Sequence, residues 1–499
     1  MSSARRQAWA LAASALSTLA AGCAHGRRAS APAPSAAFAS APTPSASAAD
    51  RAAEATGDPL HFVAIGGGAT PESTEVSLEQ DIELVASTLP KPGVVLFAGG
   101  EGSRTVRETD PEPHGDEVKV ALGDLFHPRV GRKSRYRAVR LHAGRANVEN
   151  VESTLSHALS SGDGPLLLYI AAHGDQGENP RDNAVALWGG QALTVAQLAE
   201  LDERHARALR LVVTSCFSGG FAELAFDHAD EHDGPSRTPR CGVFAGTWDR
   251  ETSGCDPNPD RKSQESYGLH FVHALSGEDR EGRRLPEGTL DFNHDGTVGL
   301  LDAHTRARIA AMSLDVPTTT SERFLRHAQR AAAPIDRKLL PEDAAVVDQL
   351  GAFLGLRDEA SVEKRWAELD ARLDQLDDRL DDREKDLAAK EAALSSRLLE
   401  RWPVLDDAFH PDFETTFRNN RAAIEEVLSR SPEAAARTKA RDAADETDEA
   451  LSTLEVEEAR VLRLRRAYET LHLASALLRA PSPAARYYAT LLACERASP

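Results

Sequence analysis

The sequence predicts an α/β domain built on a mostly parallel sheet with helices on both faces, followed by an α-helical hairpin or coiled-coil region. Three observations predict it. Between about residues 60 and 335, short runs rich in Val, Ile and Leu alternate with stretches of helical periodicity. Beyond about residue 340 the composition shifts to Ala, Leu, Glu, Asp and Arg, with an apolar heptad. Residues from about 24 to 58 hold too few large apolar groups to fill a core.

Residues 1–22 read as a targeting segment. Arg5 and Arg6 form a cationic start, Ala8 to Ala20 a short apolar run, and Leu19-Ala20-Ala21-Gly22-Cys23 closes it. This ending resembles the bacterial lipobox, although its favoured Leu sits four residues before the cysteine. The resemblance implies cleavage before Cys23, lipid on Cys23, and an exported chain held at an envelope membrane, on the outer membrane or the periplasmic face. Residues 23–58, rich in Ala, Ser and Pro, are expected to form a disordered tether.

Residues 59–335 form the expected α/β domain. Five apolar runs read as buried strands: His61 to Ile65, Val94 to Ala98, Leu166 to Ile170, Leu209 to Val213 and Gly242 to Ala245. Between them Leu78 to Leu89, Val148 to Leu159, Val195 to Leu201 and Tyr267 to Leu275 carry helical spacing. In residues 336–499, Val362, Trp366, Leu369, Leu373, Leu376 and Leu380 follow one another at spacings of four and three. Leu387 and Leu394 continue one column and Pro403 ends the helix. A second helical stretch runs from about Glu433 to Leu478. An antiparallel hairpin or a coiled-coil dimer satisfies this pattern, the latter implying helix-mediated self-association.

The chain has 499 residues, 27% of them charged, and a formal net charge of −20. With no long basic run, that charge excludes a nucleic-acid partner. Cys23, Cys216, Cys241, Cys255 and Cys494 are the cysteines. In an exported protein Cys241 and Cys255, close in sequence, are the pair expected to form a disulfide. Cys494 reads as a buried small residue, and Cys216 is left as a free thiol.

Two strand ends carry chemistry. The run Leu166 to Ala172 leads into His173-Gly174, and Leu209 to Ser215 leads into Cys216-Phe217-Ser218-Gly219-Gly220. Parallel neighbours bring a histidine base and a thiol nucleophile to one edge of the sheet. Backbone N–H groups of Gly174 and Cys216 would form an oxyanion hole. A helix starting after Cys216 would favour the thiolate.

Strand–His–Gly followed about forty residues later by strand–Cys–x–Ser–Gly resembles the clan of caspases, metacaspases and legumain. The resemblance covers roughly residues 60 to 310. It implies a caspase-like fold, hydrolysis of peptide bonds in a protein or peptide substrate, and no cofactor for catalysis. The position two residues before the nucleophile holds Thr214, where metacaspases carry Asp, so no familiar specificity transfers.

Residues 291–302 fit a calcium-loop pattern of the EF-hand type. Asp291, Asn293, Asp295, the carbonyl of Thr297 and Asp302 supply oxygens, and Gly296 supplies the turn. The expected ion is structural.

Overall fold

The computed structural model describes residues 59–110, 115–128, 133–286, 288–329 and 331–499. The targeting segment, Cys23 and the tether lie outside the described residues. No helix among those described is long and apolar enough to cross a membrane.

Along the chain, β1 (Phe62–Gly67) leads to α1 (Val76–Thr88) and β2 (Gly93–Phe97). An excursion follows: β3 (Arg104–Thr109), α2 (Glu117–Phe126) and β4 (Ser134–Ala138). Next come α3 (Val148–Ser160), β5 (Leu166–Ala172), the short β6 (Gly174–Asp175), β7 (Ala184–Leu187), β8 (Gln191–Thr194) and α4 (Val195–Asp202). Then β9 (Leu209–Val213), a 3-10 stretch over Ser218–Ala225, β10 (Arg240–Phe244), α5 (Tyr267–Ser276), α6 (Leu300–Ala310), β11 (Thr318–Thr319) and α7 (Thr320–Ala328) complete the first part. The rest is helical: α8 (Pro341–Leu354), α9 (Glu359–Arg401), α10 (Phe413–Arg430), α11 (Pro432–Leu477) and α12 (Pro483–Arg496).

The main sheet has six strands in the order β11-β10-β9-β5-β1-β2, with only β11 antiparallel. Every residue of β5, the central strand, is buried. Its side chains alternate between two cores, because successive side chains leave opposite faces. Leu166, Leu168 and Ile170 pack with α3 and α4, while Leu167, Tyr169 and Ala171 pack with α1 and α5. Both faces are therefore apolar, which explains why the strands read as continuous Val/Leu/Ile runs. All five expected strands and all four expected helices fall on these elements.

Local signals set the helix ends. Thr194 accepts a hydrogen bond from the Gln197 N–H and starts α4 with a capping box. Ser266 caps α5, and Gly277, in the left-handed region at φ +70°, ends it. Asp358 caps α9, and Ser431 with Pro432 opens α11.

α9 and α11 form an antiparallel hairpin within the chain. The 43 residues of α9 make a rod about 65 Å long. Val362, Leu369 and Leu373 of the seam are buried with Leu451, Leu454, Val461 and Leu464 of α11. At the far end α2 packs on the hairpin: Val118, Leu122 and Leu125 share a core with Leu394, Leu398 and Phe417, and Lys119 bonds Glu414 at 2.6 Å.

Among the described residues a disulfide links Cys241 to Cys494, and Cys255 is also disulfide-bonded but not to Cys241, so the expected Cys241–Cys255 pairing is corrected. Cys241 lies near the start of β10 and Cys255 lies beyond its carboxyl end, on the far side of a strand about 17 Å long. α12 packs on β10 and brings Cys494 to Cys241 instead, so Cys494 is not merely a buried small residue. Cys216 is the free cysteine among the described residues.

Candidate active site

Parallel pairing of β5 with β9, in register from Leu166↔Leu209 to Ile170↔Val213, carries both chain segments to the same sheet edge. His173 and Gly174 there meet Ser215 and Cys216. The backbones touch: a methyl group on Gly174 would lie 2.0 Å from the Cys216 carbonyl oxygen. Only glycine fits this approach. The two sequence-predicted residues are thus neighbours through their backbones.

Their side chains have other partners. The His173 Nε2 lies 3.0 Å from Glu75 Oε2, and its Nδ1 lies 3.8 Å from the Cys255 sulfur. Glu75 precedes α1 at the carboxyl end of β1, is 2% exposed, and also takes Arg107 at 2.5 Å. Burial works to raise the Glu75 carboxyl, but the bonds and charges of His173 and Arg107 hold it below its ordinary value. Burial likewise works to lower His173, and the Glu75 carboxylate overcomes it and raises the imidazole above its ordinary value. The imidazole thus faces a carboxylate through Nε2 and the Cys255 sulfur through Nδ1.

Cys216 is 3% exposed. Its sulfur accepts the Thr252 N–H at 3.2 Å and lies 3.6 Å from the Thr252 carbonyl oxygen. Burial pushes the thiol up to about 12. This reverses the expectation that a following helix would favour the thiolate. Phe217 instead takes a left-handed turn at φ +57°, and the segment after it is a tight 3-10 stretch. Desolvation of the sulfur therefore outweighs any helix end.

The cover over Cys216 is the chain after β10. Arg250 O accepts the Phe217 N–H at 2.8 Å, and Ser253 N–H bonds Asp315 Oδ1 at 2.6 Å. Asn183 fastens the neighbouring turns: its Nδ2 donates to the carbonyls of Phe217 (2.9 Å) and Trp248 (2.7 Å), and its Oδ1 accepts from Gly177 N–H. A small cleft beside Cys216 is lined by Asp81, Thr214, Ser215, Ser253 and Ser266, among others. Thr214 thus borders a cleft that holds one carboxylate and several hydroxyls. Sequence reasoning missed Glu75, Asn183 and Thr252. Glu75 had one readable signal, an acidic residue placed after the first strand at the end of the sheet where function gathers.

The 291–302 loop is a nest of side-chain to backbone bonds. Asp291 accepts from the N–H groups of Asp295 (3.1 Å) and Gly296 (3.0 Å), and Asp295 accepts the Thr297 N–H at 2.9 Å. Gly296 takes φ +88° as the pattern requires. Asp302 is buried, and its two oxygens receive the Phe292 and Gly299 N–H groups at 2.9 Å each, capping α6. Asp291, Asn293 and Asp295 fit a hard cation through oxygens on one turn; Asp302 fits it least. Among the described residues, atoms of Glu75, His173 and Cys255 lie within 4.8 Å of one another, but the Cys255 sulfur is disulfide-bonded and offers no thiolate to a metal, and the loop carboxylates do not converge in that way.

No protein-family model matches the chain, and no curated protein matches it in sequence.

Proposed function

We propose that the chain is a cysteine-type endopeptidase resembling caspases, metacaspases and legumain, with His173 and Cys216 as its catalytic pair. The observation that carries this reading is the contact of the two strand ends, His173-Gly174 against Cys216, beside a buried carboxylate that fixes the imidazole. His173 takes the Cys216 proton as the sulfur attacks the scissile carbonyl carbon. The C–N bond breaks as His173 delivers a proton to the leaving amine. Water then attacks the thioester as His173 takes its proton; the C–S bond breaks, and His173 returns that proton to the departing sulfur, restoring the thiol. Backbone N–H groups of Gly174 and Cys216 hold the oxyanion. Glu75 is a positioning residue that acts through His173.

The reading includes lipid on Cys23 and the tether up to residue 58, which together would hold the enzyme at an envelope membrane facing exported protein substrates. It also includes a structural calcium ion held by Asp291, Asn293, Asp295 and the Thr297 carbonyl, with Asp302, whose oxygens cap α6, the least suited of the expected ligands. Helix-mediated self-association is not required, since the heptad seam is occupied by α11 of the same chain.

A second reading, a catalytically silent scaffold, is favoured by one observation: the Cys216 thiol is buried and bonded to Thr252 rather than to His173. Cleavage of a fluorogenic peptide library, varied at the residue before the cut and run with and without calcium, separates the two. Turnover abolished by both Cys216→Ala and His173→Ala supports the peptidase. No turnover by the wild type or by Arg250→Gln, with Cys216 inert toward acylating probes in both, leaves the scaffold.

A further inference from the structure

Residues 250–253 form the cover on Cys216, and their anchors lie far away in sequence. Arg250, whose carbonyl holds the Phe217 N–H, pairs with Glu458 of α11 at 2.8 Å. Ser253 is held by the Asp315 carboxylate, which also accepts the Tyr267 N–H at 2.6 Å. Asp315 is in turn fixed by Arg463 of α11, a buried guanidinium that donates to the carbonyls of Asp315 (2.6 Å), Ala311 (2.7 Å) and Ser313 (2.5 Å). Between these two anchors, the Thr252 N–H and hydroxyl close on the sulfur, at 3.2 Å and 3.7 Å. Glu458 and Arg463 are five residues apart on one helix, so a single rigid element holds both ends of the strap. Nothing in the proposed chemistry uses these contacts, and a thiol 3% exposed under Thr252 is shielded from a peptide carbonyl in this form.

We propose that the α9–α11 hairpin is a latch: through Glu458 and Arg463 it holds residues 250–253 across the Cys216 sulfur, and the thiol opens when those contacts are lost. This concerns regulation of the proposed active site and rests on that reading for its biological consequence. Access to the sulfur can be measured without turnover. The described form is then the latent one, and whatever draws α11 away from the strap acts as the activator.

The test is the rate at which iodoacetamide alkylates Cys216 in the full chain, read by peptide mapping. Glu458→Gln and Arg250→Gln each remove the same charge-assisted bond from opposite sides. Each should raise the rate about tenfold or more, the scale set by losing one such bond from a local opening equilibrium. Glu391→Gln breaks ion pairs with Arg437 and Arg441 on the same hairpin, far from the strap, and should leave the rate unchanged. Rates unchanged in both strap variants overturn the latch. So does equal acceleration by Glu391→Gln, or wild-type Cys216 reacting as fast as in the unfolded chain. Peptide hydrolysis measured in parallel keeps the two readings apart. Faster alkylation with no turnover in any variant preserves the latch and removes the peptidase. Turnover by a wild type whose Cys216 already reacts freely does the reverse.

Discussion

Glu75 divides its two carboxylate oxygens between Arg107 and His173 in a buried setting. Its folded value lies below the ordinary 4.5 and that of His173 lies above the ordinary 6.5. Stability from the depressed Glu75 is present above 4.5 and is lost as pH falls through its folded value. Stability from the raised His173 is fully present below 6.5 and is lost as pH rises through its folded value. The pair therefore contributes most between about pH 4.5 and 6.5. Glu75→Gln should cost about 2 kcal/mol in that window, the scale of a hydrogen bond to a charged group. The gap from wild type should narrow toward alkaline pH. Melting temperature against pH for both proteins checks this, and a gap that does not change with pH would detach Glu75 from His173. Gly174 is the other decisive residue. Gly174→Ala forces a methyl into the Cys216 carbonyl, and overpacking of this kind costs about 3 kcal/mol. Urea denaturation should show it as a lower midpoint.

Elements differ in how far the sequence betrayed them. The strands of the main sheet were legible because both faces are buried, which leaves unbroken apolar runs bounded by turns. The hairpin was legible because its seam repeats over many turns. β11 has only two residues and no period, and its place at the sheet edge comes from α6 and α7 on either side. α2 lies in a segment rich in charge, Gly and Pro, and its apolar residues find their partner nearly three hundred residues away on α9 and α10. Side-chain direction was the least legible property. Strand order placed His173 beside Cys216, while the aim of the thiol depends on Thr252 and on helix α11. The calcium loop belongs to this scale as well. Saturating calcium should raise the melting temperature, and Asp295→Ala should abolish the rise, because Asp295 is the solvent-exposed one of the three loop carboxylates. No shift in the wild type would leave the loop as a turn held by its own side chains.

The whole molecule is closed by contacts that return the C-terminus to the first part of the chain. The Cys241–Cys494 disulfide spans 253 residues. Around it, Ser321 donates its N–H and hydroxyl to Glu495, and Arg496 pairs with Glu342. α12 is thus fixed to β10, α7 and α8 together, and the hairpin between α8 and α12 is clamped at its base. A cross-link closing so long a loop restricts mainly the unfolded chain, at the chain-entropy limit by about 5 kcal/mol. Cys494→Ser should therefore lower the urea midpoint. It should also steepen the dependence on urea, because an unfolded chain freed of the loop exposes more surface. Two separated transitions in that variant would show the hairpin parting from the sheet before the sheet unfolds. In that case Cys216 alkylation should accelerate within the first transition, since the strap over the sulfur is anchored on α11. A single transition with Cys216 protected up to the midpoint would mean that the ion pairs and buried guanidinium hold the two parts as one cooperative unit without the disulfide.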